Sequence, residues 1–170
     1  MPRFATEQPA YSILARAVEN DVLPTCRRHG LGVLSYSPLT GGWLSGRWRQ
    51  GQEPPQSTRA QRIPARYDLS IPANQRKLEA ADALGRLADE AGMSLIHMAI
   101  AFVINHPAVT AAIIGPRTME QLESQLPAAG VKLDAAALDR IDEIVRPGVN
   151  LNPADTSYGE HVLQPRLRRR

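Results

Sequence analysis

The sequence predicts an α/β fold, because short apolar runs alternate with segments that carry apolar residues at helical spacing. Strands separated by helices pair in parallel, since each helix returns the chain to the same end of the sheet. Three strands are predicted, which is a small sheet for this class. Such a sheet leaves two unpaired edges, which proteins normally avoid, so we expect it to be part of a larger closed sheet.

The composition indicates a globular protein. The chain has 170 residues, of which 43% are hydrophobic and 22% charged, and this suits one domain with a sizeable core. No apolar run is long enough to span a bilayer, and the N-terminus lacks a signal-peptide pattern, so we expect a cytoplasmic protein with no membrane contact. The single cysteine, Cys26, excludes an internal disulfide, and the histidines show no metal-binding spacing.

The first part of the chain contains two predicted strands. Residues 8–13 form the first strand, and residues 21–28 form a helix that Gly30 ends. Residues 31–36 are almost continuously apolar, which predicts a second strand buried on both faces. Residues 47–73 are polar and contain prolines, and a loop of this length is usually functional or disordered.

The middle of the chain adds a pair of helices and the third strand. Apolar residues at helical spacing predict a helix over residues 74–91. Ser94 caps a strongly apolar second helix, which Pro107 ends. Residues 109–114 then form the third strand.

The last part is predicted to contain two more helices and an irregular tail. Thr118 begins a Thr-x-x-Gln capping box, which opens a helix that runs to about residue 126. Asp134 caps the final helix. Residues 147–170 show no regular pattern, so the predicted domain covers residues 1–146.

The ends of two strands have sequences that fit an anionic ligand. After Tyr36 the chain continues as Ser-Pro-Leu-Thr-Gly-Gly, and after Ile114 as Gly-Pro-Arg-Thr followed by a helix N-terminus. Free N–H groups and the helix dipole make such a terminus attractive to anions. Each loop alone is explained more simply as a turn, and Tyr36 alone as a core aromatic residue. Two such loops on consecutive strands favour a flat, anionic ligand.

Several segments together resemble one known family. They are QPAYSIL, SYSPLTGGWLSGR, AIIGPRTMEQL and PGVNLNPAD, and their order and separation also fit. On these residues the chain resembles the C-terminal part of the aldo/keto reductases, in the branch with a Ser-Pro-Leu-x-x-Gly loop that includes potassium-channel beta subunits and bacterial reductases. The resemblance implies a partial (β/α)8 TIM barrel, the C-terminal three strands with their helices, and carbonyl reduction with NADP(H).

The resemblance also implies roles in binding the nicotinamide end of the cofactor. Gln8 would hydrogen-bond the nicotinamide carboxamide, and Tyr36 would stack on the nicotinamide ring. The residues that would wrap the pyrophosphate are Ser37, Pro38, Leu39, Thr40 and Gly41. Arg47 would pair with a phosphate, and Arg59 would help to close the long loop over the cofactor.

The adenosine end of the cofactor would be held after the third strand. Gly115, Arg117 and Gln121 match the family there, and Arg117 suits a ribose 2′-phosphate. Family members usually carry an acidic residue and then asparagine where this chain has Ser124 and Gln125. Gln125, in place of the asparagine, completes the predicted cofactor-binding set.

The catalytic aspartate, tyrosine, lysine and histidine of the family have no match here, because they come from strands before the segment that matches Gln8. Asp155 and Tyr158 imitate one catalytic motif, but their spacing is shorter than in the family and they follow the last helix. Hydride transfer to a carbonyl needs a proton donor. We therefore expect binding of the nicotinamide cofactor, and reduction of a small carbonyl substrate only if the missing half is supplied.

Two other interpretations remain open. The chain could be a non-catalytic NADPH-binding regulatory or complementing subunit, with its open sheet edges used for self-association or for a partner. The arginine-rich end, RLRRR, could instead contact nucleic acid. No aromatic residues interleave with these arginines, so a solvated terminus is favoured and nucleic-acid binding is not expected.

Overall fold

The computed structural model describes residues 3–156, which form a three-stranded parallel sheet with helices. The strands are β1 (Thr6–Glu7), β2 (Gly32–Tyr36) and β3 (Ala111–Ile113), in the order β1-β2-β3. Thr6 lies opposite Gly32, and Leu34 lies opposite Ala111. The predicted α/β class, the parallel pairing and the number of strands are confirmed.

The first strand is shorter and earlier than the predicted residues 8–13. Pro9 has no N–H to donate, so it interrupts the hydrogen-bond ladder after Glu7. Beyond it, one isolated parallel bridge joins Ala10 to Tyr36. The Pro9 carbonyl accepts the N–H of Tyr36 at 3.0 Å, which keeps the segment beside β2 without a regular strand.

The helices are α1 (Val22–His29), α2 (Thr58–Arg62), α3 (Pro72–Glu90), α4 (Leu95–Ile104), α5 (Met119–Gln125) and α6 (Ala135–Ile144). All the helices except α2, which was not predicted, begin and end close to the predicted positions. The side chains of Ser94, Thr118 and Asp134 accept backbone N–H groups in the first turns of α4, α5 and α6. Gly30 ends α1 in the left-handed conformation, with a φ of 65°.

The long loop, residues 47–73, contains regular structure that the sequence analysis did not predict. It includes α2, which Ser57 caps, and a 3-10 turn over Pro64–Arg66. Trp48 and Tyr67 are buried in the core, so both ends of the loop are packed against the body of the protein.

Side chains on the two faces of β2 differ in exposure. Val33 and Ser35 are fully buried in the core, whereas the alternating residues Leu34 and Tyr36 are only half-buried. Ile113 of β3, opposite Tyr36, is 41% exposed. The prediction that the second strand is buried on both faces is therefore wrong for the part of the chain that the structure describes. A parallel sheet open on one face fits a segment of a barrel.

No single helix within residues 3–156 is long and apolar enough to cross a membrane. The successive helices α3 and α4 would pass together on length and composition, but the chain bends by 96° between them. Most residues of α4 are buried, and this position in the core accounts for its apolar composition.

A buried arginine joins the segment after β1 to the last helix. Arg16 is 5% exposed, and its guanidinium donates to Glu19 at 2.9 Å, to Asp142 at 2.7 Å and to the Val145 carbonyl at 2.7 Å. The guanidinium carbon also lies 5.0 Å from the centre of the Phe102 ring. These contacts hold the C-terminal end of α6 against the start of the domain.

Arg16→Ala is expected to lower the free energy of unfolding by about 3 kcal/mol, because it leaves the half-buried Glu19 and the Val145 carbonyl without this donor. Urea denaturation measures the change. Arg140→Ala is the matched control, since its side chain is 53% exposed and its ion pairs are long. The control should lower the free energy of unfolding by less than about 0.5 kcal/mol. Equal losses in the two variants would contradict the interpretation.

The stability of the fold is also expected to depend on His106. Burial lowers the pKa of this histidine, and its Nδ1 accepts the N–H of Ala108 at 3.2 Å. The contribution of neutral His106 to the free energy of unfolding is fully present above the unfolded-state pKa of 6.5. It is lost as the pH falls through the lower pKa of the folded state.

Chemical denaturation at pH 7 and pH 5 tests this dependence. Wild-type protein should be less stable at pH 5, and His106→Gln should remove part of that difference. The exposed His29, at the end of α1, supplies the control His29→Gln, which should leave the difference unchanged. An unchanged pH dependence in His106→Gln would disprove the role of this side chain.

Candidate functional site

The loop that follows β2 has an unusual backbone. In this β2 loop, residues 37–42, Ser37 and Thr40 have positive φ values of 59° and 47°, although neither is glycine. Gly41 and Gly42 follow at 66° and 102°. Left-handed non-glycine residues cost on the order of 1–3 kcal/mol each, and they persist where the surroundings hold them, often at functional sites. Within the loop, the N–H of Thr40 donates to the Ser37 carbonyl at 2.8 Å and the N–H of Gly42 donates to the Leu39 carbonyl at 2.9 Å.

Neighbouring segments hold the β2 loop in this conformation. The Thr40 hydroxyl donates to the Ser12 hydroxyl at 2.8 Å, and both residues are buried. The Tyr67 hydroxyl donates to the Gly41 carbonyl at 2.9 Å. A Cβ on Gly41 would lie 2.7 Å from the Tyr67 oxygen, so glycine is required there by space as well as by φ.

A crevice opens between the β2 loop and the long loop. It lies at the carboxyl ends of the first two strands and has a volume of about 20 Å³. Hydroxyl groups and charged side chains line it, including those of Tyr11, Ser12, Ser37, Thr40, Arg59, Arg66, Tyr67 and Asp155. Two guanidinium groups beside hydroxyl donors suit a ligand that carries phosphate groups. Among residues 3–156 no group of three or more histidine, cysteine or acidic side chains could hold a metal ion.

The end of β3 is connected to the same long loop. The Arg117 guanidinium donates to the Thr58 hydroxyl at 2.6 Å. The Arg117 N–H donates to the side-chain oxygen of Gln121 at 2.8 Å. Thr58 precedes Arg59, so the long loop contacts Arg117 after β3 and also brings Arg59 to the crevice beside the β2 loop.

The structure brings together only some of the predicted site residues. Ser37, Thr40, Gly41 and Arg59 line the crevice, and Arg117 and Gln121 contact each other at the end of β3. Pro38 and Leu39 lie within the β2 loop, and Tyr36 is half-buried at the end of β2.

The remaining predicted residues lie apart. Gln8 is exposed beyond β1, and Gly115 is exposed beyond β3. Arg47 is exposed and donates to the Ser45 hydroxyl at 3.3 Å. Gln125 is 8% exposed at the end of α5, so its side chain has little surface available to a ligand.

An aromatic stack that the sequence analysis missed lies behind the β2 loop. Trp43 and Trp48 have ring centroids 3.9 Å apart, and Tyr67 stacks on Trp43 at 5.8 Å. We call these three residues the aromatic brace. The Lys77 ammonium lies 4.5 Å from the centre of the Trp43 ring.

Lys77 is fully buried and pairs with Asp155 at 2.8 Å. Burial lowers the pKa of this lysine, and the carboxylate opposes that shift. The spacing of Lys77 with Ala81 and Leu84 at i, i+4 and i+7 already placed it on the apolar face of α3, and this signal could have revealed its burial. Asp155 is thus placed at a structural ion pair, while Tyr158 lies outside the described residues.

Comparison with known proteins identifies the family. The sequence profile of the aldo/keto reductase family matches residues 1–146. The chain therefore belongs to the aldo/keto reductase family.

Among its relatives, the uncharacterized oxidoreductase YrpG of Bacillus subtilis is 39% identical over 141 residues, which is 83% of this chain and 40% of the relative. A probable voltage-gated potassium channel subunit beta of Arabidopsis thaliana is 31% identical over 150 residues, which is 82% of this chain and 43% of the relative.

A solved glycerol dehydrogenase from Gluconobacter oxydans superposes with a TM-score of 0.69 at 27% identity, over 91% of this chain and 46% of that one. The predicted partial (β/α)8 barrel is confirmed. The chain spans less than half the length of these relatives.

Asp155→Asn is expected to lower the free energy of unfolding by about 3 kcal/mol, because it leaves the Lys77 ammonium buried without its counter-charge. Thermal and urea denaturation measure the loss. Asp139→Asn makes the same chemical change at an exposed position of α6 and should be nearly neutral. A loss no larger than that of the control would mean that the ion pair contributes little.

Proposed function

We propose that this chain binds NADP(H) at the carboxyl ends of its strands, as the cofactor-binding part of a carbonyl-reducing enzyme. The observation that carries the proposal is the convergence of three elements: the left-handed β2 loop, the arginine-bearing long loop and the Arg117 region after β3. Together they offer hydroxyl and guanidinium donors, and this combination supports binding of a dinucleotide through its phosphates.

Each part of the site has a role in this proposal. The β2 loop and Arg59 receive the pyrophosphate, and Arg117 pairs with the ribose 2′-phosphate that distinguishes NADPH from NADH. Tyr36 supplies a flat surface for the nicotinamide ring, and Gln8 offers its amide to the carboxamide. When bound, the cofactor supplies a hydride for a carbonyl carbon.

Proton transfer to the developing alkoxide requires a proton donor. The acid–base residues of the family, as the resemblance implies, belong to a part of the barrel that these 170 residues do not match. We therefore propose that the 170 residues alone bind the cofactor without turning over a carbonyl substrate.

A second candidate function is non-catalytic, a nucleotide-binding subunit that regulates or complements a partner. The half-buried face of β2 and the exposed Ile113 of β3 offer a surface for one. The Arabidopsis relative is itself described as a probable channel subunit. Cofactor binding that never leads to turnover, even when the rest of a family barrel is supplied, would favour this function.

Tryptophan fluorescence during titration with NADPH tests the proposal, because both tryptophans of the chain belong to the aromatic brace behind the β2 loop. A saturable change is expected. Arg117→Ala should raise the Kd for NADPH about tenfold and change the Kd for NADH less than about twofold, since NADH lacks the 2′-phosphate.

Arg146→Ala, which removes an exposed arginine beyond α6, is the control and should alter neither Kd. Absence of any saturable change would refute cofactor binding. An equal loss for both nucleotides in Arg117→Ala would refute the assignment of the 2′-phosphate.

A further inference from the structure

We propose that Tyr67 is a positioning residue, which fixes the peptide between Gly41 and Gly42 so that the β2 loop presents donors to a phosphate group. The proposal rests on the proposed function and extends it to a residue outside the β2 loop. The contact that carries it is the hydrogen bond from the Tyr67 hydroxyl to the Gly41 carbonyl, at 2.9 Å.

The peptide between Gly41 and Gly42 is the one in the loop most able to rotate. Both flanking residues are glycines with positive φ, so no Cβ resists a change of backbone angles. A rotated peptide would turn a carbonyl oxygen toward the anion, and the resulting repulsion would oppose binding.

Two hydrogen bonds oppose this rotation. At one end, the N–H of Gly42 donates to the Leu39 carbonyl at 2.9 Å, within the loop itself. At the other end, the Gly41 carbonyl accepts from Tyr67, which belongs to the long loop. Tyr67 therefore supplies the constraint that comes from outside the β2 loop.

Tyr67 is well fixed for this task. Its ring is parallel to that of Trp43 within 3°, and Trp43 in turn contacts the Lys77 ammonium, which Asp155 holds. Burial raises the pKa of the Tyr67 hydroxyl, so it remains protonated and able to donate throughout the neutral range.

Tyr67→Phe is the direct test, because it removes the hydroxyl and keeps the stacked ring. NADPH should bind about fivefold more weakly to the intact variant chain, which is the size expected for one neutral hydrogen bond. Adenosine 2′-monophosphate, which lacks the pyrophosphate, should bind with an unchanged Kd. The urea midpoint should stay near the wild-type value.

Thr110→Val is the control. It removes a hydroxyl that accepts the N–H of Val33 at 3.1 Å, before β3 and outside the lining of the crevice, so the Kd for NADPH should not change. Gly41→Ala gives a second line of evidence, because its Cβ would displace the Tyr67 hydroxyl. Its effect on NADPH binding and that of Tyr67→Phe should not add in the double variant.

The binding results for wild-type protein and for Tyr67→Phe separate failure of the proposed function from failure of this inference. If wild-type protein does not bind NADPH, the proposed function and this inference both fail. If wild-type protein binds and Tyr67→Phe binds equally well, only the inference is overturned. Equal weakening of NADPH and adenosine 2′-monophosphate would also overturn it, since that outcome indicates a general structural role.

Discussion

The strained backbone of the β2 loop is the constraint on which the rest of the site depends. Ser37 and Thr40 occupy the left-handed conformation, which is unfavourable for residues that carry a Cβ. Contacts from outside the loop are therefore needed to hold it. That support comes from Ser12 in the segment after β1 and from Tyr67 in the long loop. The site is therefore made from segments distant in sequence, although its most recognisable motif is a single short stretch.

Polar contacts also help to organise the core behind this site. The Arg16 cluster and the Lys77–Asp155 pair each join an early or middle segment to the last part of the described chain. A buried charge is costly without its partner, so each pair disfavours arrangements in which the final segment is displaced. Gly85 shows a similar close fit, because the Arg49 guanidinium occupies the space that a larger side chain would need.

The features predicted well from the sequence are those decided by neighbouring residues. The caps at Ser94, Thr118 and Asp134 are local hydrogen bonds, and the helical spacing of α3 is a local pattern. Strand limits were predicted less well, because pairing with β2 and the missing donor of Pro9 decide where β1 ends. Whether a face of the sheet is exposed depends on which other elements pack over it. The residues of the strand itself do not contain that information.

Predictions for the site residues also succeeded where the signal is local and failed where it is not. The Ser-Pro-Leu motif and Arg117 were found from the sequence, but the positive φ of Ser37 has no sequence signal comparable to a glycine. Tyr67 and Asp155 were missed as supports of the loop, since their partners lie 26 and 78 residues away. Lys77 was missed as well, although its spacing with Ala81 and Leu84 on the apolar face of α3 could have revealed its burial.

The bond between Arg16 and Asp142 joins residues that are 126 positions apart. Forming this bond closes a large loop of the chain, and the conformational entropy of that loop is lost before the contact can stabilise the structure. Contacts of such long range slow folding, so completion of this core waits until α6 has reached the segment after β1. The folding nucleus would then lie among the local helix pairs, and the contact between α6 and the segment after β1 would form last.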